Sequence, residues 1–183
     1  MKKKPASPAV FEGIQGRSTA DDFLGAVAAH HVQMSAMADV KANIIITASS
    51  IVLTLALNRF NEPGYRHSVM VLVPFLTLAL LCAIVAVLPK HRPLAWPEGA
   101  PKPPMFNLLF FGHFANLPKR RFLAEMERAI NNDADLYRTS VEDIYGIGFY
   151  LNNFKYRYLR WSYAFFLAGF LLAALLAAGE MLL

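Results

Sequence analysis

The sequence predicts an all-α membrane protein with three transmembrane helices, whose long helices extend into a small helical cytoplasmic domain. Three observations carry this. Of the 183 residues, 56% are hydrophobic and 17% charged, more apolar surface than a soluble chain of this size can bury. Three long apolar runs stand at about 42–57, 68–88 and 161–181, each near the length needed to cross a bilayer. The charged segments that lead into the first and last runs repeat apolar residues at steps of three and four, the helical period. The mean hydropathy of +0.35 agrees.

Each element follows in order. Residues 1–19 hold Lys2, Lys3 and Lys4 and no apolar core between Pro5 and Gly16. They are expected to form a disordered cytoplasmic N-terminus rather than a secretory signal. Beyond Asp21, the residues Phe23, Val27, His30, Met34 and Met37 fall 4, 3, 4 and 3 apart, one face of a helix. One helix is read over 20–58, a cytoplasmic stalk that continues into the first span at about 42–57. That span is about 24 Å long at the helical rise, short of a core of ~30 Å, and snorkelling Lys41 or Arg59 makes up the difference. The second span, 68–88, carries no charge and contains Pro74.

Six of the eleven prolines lie in 89–104, which reads as a stiff extended linker. The aromatic stretch MFNLLFFGHFANL (105–117) is too short to span. It is expected as a strand, an interfacial segment, or a plug on the cytoplasmic helices. Pro118 suits the first turn of a short helix, about 118–131. Asp133 is expected to cap a helix running to the C-terminus. Along it Leu136, Ser140, Ile144, Ile147, Leu151, Phe154 and Tyr158 share a face. The region 105–160 is thus read as cytoplasmic and helical, and its long helix is expected to pack on the first stalk. Tyr156, Tyr158, Trp161 and Tyr163 form an interfacial belt before the last span at 161–181.

The net charge of +5 is distributed unevenly. Five basic residues precede the first span, two (Arg59 and Arg66) lie between the first and second, and eleven separate the second from the third. The positive-inside rule then places the N-terminus and residues 89–160 in the cytoplasm of a multi-pass inner-membrane protein. Cations that flank apolar runs point to the lipid bilayer as partner and away from nucleic acid.

No catalytic constellation is present: HExxH, a Gly-rich phosphate loop and a serine elbow are all missing from the sequence. Neither an enzyme, a metal site nor a cofactor is expected. Cys82 stands alone in an apolar run and reads as a packing residue. Adjacent His30 and His31 point roughly 100° apart on a helix, a poor chelate, and His30 is expected as a satisfied core histidine. NNDADLY (131–137) lacks the length and terminal Glu of a calcium loop.

The first span carries a polar stripe. Asn43, Thr47, Ser50, Thr54 and Asn58 continue from Asp39 at steps of 4, 4, 3, 4 and 4, within an arc of roughly 100°. Two readings stay open. The stripe lines a water-filled path or a seam between subunits, or its hydroxyls bond their own helix backbone and permit close packing. In the last span Gly169, Ala173 and Ala177 form a small-residue seam. Asp39 and Lys41 guard the start of the first span. Asp39 is too short to snorkel and calls for a base, with Lys155, Arg157 and Arg160 at similar depth on the last helix. Asp39 and Lys41 are therefore candidates for a latch between the two stalks, or for residues that merely fix helix depth.

ADVKA (38–42), FFGHFANL (110–117) and YGIGFYLNNFKYRYLRWSYAFFLAG (145–169) together resemble the transmembrane Pycsar effector family over about residues 20–175. The resemblance implies a bacterial antiphage effector paired with a pyrimidine nucleotide cyclase. It implies that cyclic UMP or cyclic CMP from the cognate cyclase activates the protein, which impairs the inner membrane and aborts infection. A homo-oligomer is expected. A sensor of this kind needs cations for phosphate and an aromatic for the base. Phe111, His113, Arg120, Arg121, Lys155 and Arg157 are the nucleotide-binding candidates, although Lys155 and Arg157 also stand where anionic lipid would hold them. A constitutive small channel or transport subunit, or a structural docking protein, is the alternative.

Overall fold

The structure, a computed structural model, describes residues 16–62, 64–89 and 94–182. These residues form helices and loops, with no strand among them. The helices are α1 (Ser18–Asn58), α2 (Arg66–Val87), α3 (Phe111–Phe114), α4 (Lys119–Ile130), α5 (Asp133–Tyr150) and α6 (Tyr156–Leu182), with a π-helical turn at Leu151–Lys155 between the last two. Three helical stretches are long and apolar enough to cross a membrane: Ser18–Asn58, Arg66–Val87 and Asp133–Glu180. The sequence expectation for residues 1–19 falls mostly outside the described residues, as do positions 90–93 of the linker.

The chain divides into two compact units, Met1–His31 with Lys90–Gly148 and Val32–Pro89 with Phe149–Leu183. In the first, Phe106, Leu108 and Ala129 form a small core, covered by Leu94, Trp96, Leu117, Phe122 and Met126. The aromatic stretch 105–117 is therefore not a strand. It folds back over α4, whose apolar side gives it a surface to bury against. Asn132, not Asp133, caps α5: its side-chain oxygen accepts from the Ala134 N–H at 3.0 Å. The Asp133 carboxylate instead accepts from the Gly16 N–H at 2.7 Å, and the Tyr137 hydroxyl accepts from the Arg17 N–H and donates to Asp21.

The second unit holds the apolar runs. Its core joins Ala38, Ala42 and Ile45 of α1, Ala79 and Ala83 of α2, and Leu159 of α6. Small residues at these crossings let backbones approach, which is what drives association where lipid is as apolar as leucine. Gly169 shows how close α6 and α2 lie: a Cβ there would stand 2.4 Å from the Cβ of Phe75. Ser162 donates to the Ala79 carbonyl at 2.7 Å inside the same contact. At the far end, Glu180 takes His67 Nδ1 at 2.7 Å and the Ser68 hydroxyl at 3.3 Å.

Two expectations about helix faces are corrected. On α1 the expected face of Phe23, Val27, His30, Met34 and Met37 is not the buried one: Phe23 and Met37 are exposed, and so is His30. His31 is the partly buried histidine, bonded through Nδ1 to the Val27 carbonyl at 2.8 Å. Apolar residues surround α1 on most sides, and close approach at its alanines decides which side is covered. On the last helix the covered positions run Leu151, Lys155 and Leu159, not Leu151, Phe154 and Tyr158. The π turn inserts one residue into the helical count and moves the face by one position.

Candidate functional site

The shift of face puts a cation where a regular helix would put Phe154. Lys155 ends the π turn with its side chain 8% exposed. Three groups on α1 receive its ammonium: the Ser35 carbonyl at 3.1 Å, the Ser35 hydroxyl at 2.7 Å and Asp39 Oδ2 at 2.8 Å. That uses the donors an ammonium owns, so the charge is taken from water without an orphaned N–H. The Tyr156 hydroxyl donates to the Met34 carbonyl one turn away on α1, at 3.1 Å. The carboxylate is less completely served. Asp39 Oδ1 is buried and has no hydrogen-bond partner, while its side chain as a whole is 43% exposed. Burial, and next the charge of Asp39, raise the phenol of Tyr150 above its ordinary value.

The other latch candidate stands elsewhere. Lys41 is exposed, and its backbone carbonyl lies 3.4 Å from the Tyr163 hydroxyl. Arg157 is exposed and belongs with Lys155 to the second unit.

The remaining nucleotide candidates belong to the first unit. Arg121 lies over the Trp96 ring at 4.1 Å and donates to the Trp96 and Pro97 carbonyls at 2.8 and 3.0 Å. A planar guanidinium can stack and donate at once, which a lysine cannot; here it fixes the linker to α4. His113 Nδ1 accepts the Asn107 N–H at 2.9 Å, with the ring packed on Phe106 and Phe110. Partial burial holds its pKa below the usual histidine value, and an accepting Nδ1 requires the uncharged ring. Phe111 and Arg120 are exposed. Asn107 also donates to Asp143 at 2.6 Å, a tie between the aromatic loop and α5 that sequence spacing does not reveal.

All five stripe residues of α1, Asn43, Thr47, Ser50, Thr54 and Asn58, are exposed. The covered side of the same stretch is Ala42, Ile45, Ser49 and Ala56. Ser50 donates to the Ile46 carbonyl at 2.7 Å and Thr54 to the Ser50 carbonyl at 2.9 Å, so two of the five hydroxyls and amides are satisfied within the helix itself.

Three apolar helices in an all-helical fold define a multi-pass membrane protein, and the described residues hold no group of His, Cys, Asp and Glu placed to bind a metal ion. A family model described as a Pycsar effector protein domain matches residues 22–179. The chain belongs to that family, and an antiphage defence effector is its role. No curated protein and no solved structure matches it.

Proposed function

We propose that this effector sits in the bacterial inner membrane, with its N-terminus and residues 89–160 in the cytoplasm, and impairs that membrane when a cyclic pyrimidine mononucleotide activates it. The family assignment supports the class of activity, and the charge asymmetry around the spans supports the orientation. The single observation that carries the mechanism is the buried ammonium of Lys155, held on a π turn and paired with Asp39 of α1. Such turns are rare within α-helices and occur frequently at functional sites. In the resting state the pair holds α6 to α1. Cyclic UMP or cyclic CMP, supplied by a cognate cyclase, binds the released arrangement more tightly and shifts the population toward it. Arg120 and Phe111, nine positions apart in sequence, offer an exposed cation and an exposed ring for phosphate and base.

The polar stripe supports a homo-oligomer. Asn43 and Asn58 carry amides that both donate and accept, and a second copy presents the same groups in return. In the activated state the stripes face one another and give water a polar path.

The test is the membrane potential of cells that express the protein, read with a dye before and after cyclic UMP or cyclic CMP is supplied. Depolarisation with one nucleotide alone supports the proposal and identifies the ligand. Depolarisation without nucleotide favours a constitutive channel. An unchanged potential under all conditions refutes membrane impairment.

A further inference from the structure

A second feature of the membrane-spanning unit stands apart from the lysine pair. Lys41, Tyr156, Leu159, Arg160 and Tyr163 line an open cleft of about 440 Å³. It lies where the charged parts of α1 and α6 meet their apolar runs, since Lys41 directly precedes the uncharged stretch from Ala42 and Arg160 directly precedes Trp161. Its floor is Leu159, 4% exposed, and both cations at its rim are exposed. Neither Lys41 nor Arg160 makes an ion pair with a carboxylate among the described residues; the nearby acid, Asp39, is engaged by Lys155. The two phenols are steadied by α1, Tyr156 through the Met34 carbonyl and Tyr163 through that of Lys41.

We propose that this cleft binds a phosphodiester monoanion. The Arg160 guanidinium offers a fork matched to two phosphate oxygens and Lys41 adds a point charge. The tyrosine rings and Leu159 take the less polar group that the phosphate carries. The volume is in the range of small-ligand sites, roughly 300–1,000 Å³. An anionic phospholipid headgroup and a cyclic mononucleotide both present this charge. The position of the cleft at the end of the apolar runs favours the headgroup. The inference does not depend on nucleotide activation, because the charge recognised is the same in both.

The experiment is native mass spectrometry of the full chain from mixed micelles of phosphatidylglycerol and phosphatidylcholine, repeated with added cyclic UMP or cyclic CMP. The wild type is expected to retain phosphatidylglycerol preferentially. Each cation removed in Lys41→Gln or Arg160→Gln should weaken retention about fivefold, the effect of one Lys or Arg at an anionic surface. The charge-preserving pair Lys41→Arg with Arg160→Lys should retain it. Displacement of phosphatidylglycerol by a cyclic nucleotide from the wild type would make the nucleotide the occupant, and no displacement would make it the headgroup. The proposal is overturned if the wild type prefers neither phosphatidylglycerol nor a cyclic nucleotide, or if both glutamine variants retain as much as the wild type with unchanged helical circular dichroism.

Discussion

Replacing Lys155 by methionine removes the ammonium and keeps the aliphatic stem, so packing around Leu151 and Leu159 changes little. Three bonds are lost: two to Ser35 and one to Asp39. A hydrogen bond involving a charged group contributes about 1.5–3 kcal/mol net. The Asp39 side chain is 43% exposed, so water screens it and takes over part of its solvation, which moves its share to the low end of that range. Lys155→Met should therefore cost about 3–5 kcal/mol, which is three such bonds taken at the low end and also the range for breaking a buried ion pair. Asp39→Leu alone should cost a comparable amount, because it leaves a buried ammonium with Ser35 only. The double variant should cost less than the sum, with a coupling of about 1–2 kcal/mol. The assay is reversible unfolding in detergent micelles, followed by circular dichroism, for the wild type and the three variants. A coupling below about 0.5 kcal/mol, the usual error of additivity, would show that the pair does not hold the helices together.

Three further outcomes are expected. Gly169→Ala sets a methyl 2.4 Å from the Phe75 Cβ and should destabilise by about 1–3 kcal/mol in the same unfolding assay, as overpacked cores do; unchanged stability would mean that α2 and α6 are not packed this closely. Arg121→Lys removes the stack on Trp96 and one arm of the grip on the Trp96 and Pro97 carbonyls, a loss of about 1–2 kcal/mol that should change the Trp96 fluorescence in a Trp161→Phe background; an unaltered spectrum would refute the contact. Burial lowers the pKa of His113 below its ordinary value of 6.5, so the unfolded chain binds its proton more readily and His113's contribution is fully present above that value. It should be lost as pH falls from 6.5 toward the folded pKa. Amide exchange around Asn107 should rise over that window, and an NMR titration placing His113 above 6.5 would contradict the burial.

The three spans are legible in the sequence because length and lack of charge are properties of each segment alone. The same holds for α4 and the start of α5, where Pro118 and the polar residues 131–133 punctuate the chain. The side of each helix that is covered was not legible. On α1 the large residues Phe23 and Met37 drew the expected face, yet the structure covers Ala38 and Ala42, because apposition of backbones outweighs the size of any one side chain. A base for Asp39 could be inferred from depth, but three candidates lay at similar depth. Only the π turn selects Lys155 from among them, and its sequence signal is slight: the Asn152–Asn153 pair, poor helix formers in an apolar surround. Arg121 reads in the sequence as a nucleotide-binding candidate because its partner, Trp96, lies inside the proline-rich segment, a separation in sequence that periodicity cannot bridge.

The π turn also sets what the lysine pair can do as a restraint. Were Leu151–Lys155 to relax into regular helix, the residues beyond it would rotate by roughly 100° relative to those before it. Phe154 would then take the covered position and Lys155 would leave Ser35 and Asp39. The two registers are thus discrete, and the hydrogen bonds of Lys155 belong to one of them. Holding 99% of the molecules in one register takes about 2.7 kcal/mol, half of the roughly 5.5 kcal/mol of differential binding that a shift from 1:99 to 99:1 requires, and the coupling of about 1–2 kcal/mol expected for the pair falls short of it. The pair therefore cannot be the whole restraint. The Gly169–Phe75 contact and the Ser162–Ala79 hydrogen bond lie on α6 beyond the turn, and they must yield or turn with it. A ligand that only competed for Lys155 would fall short. The proposed activation by a nucleotide therefore requires that the ligand's contacts exist in one register alone, so that its own binding energy supplies what the ion pair does not.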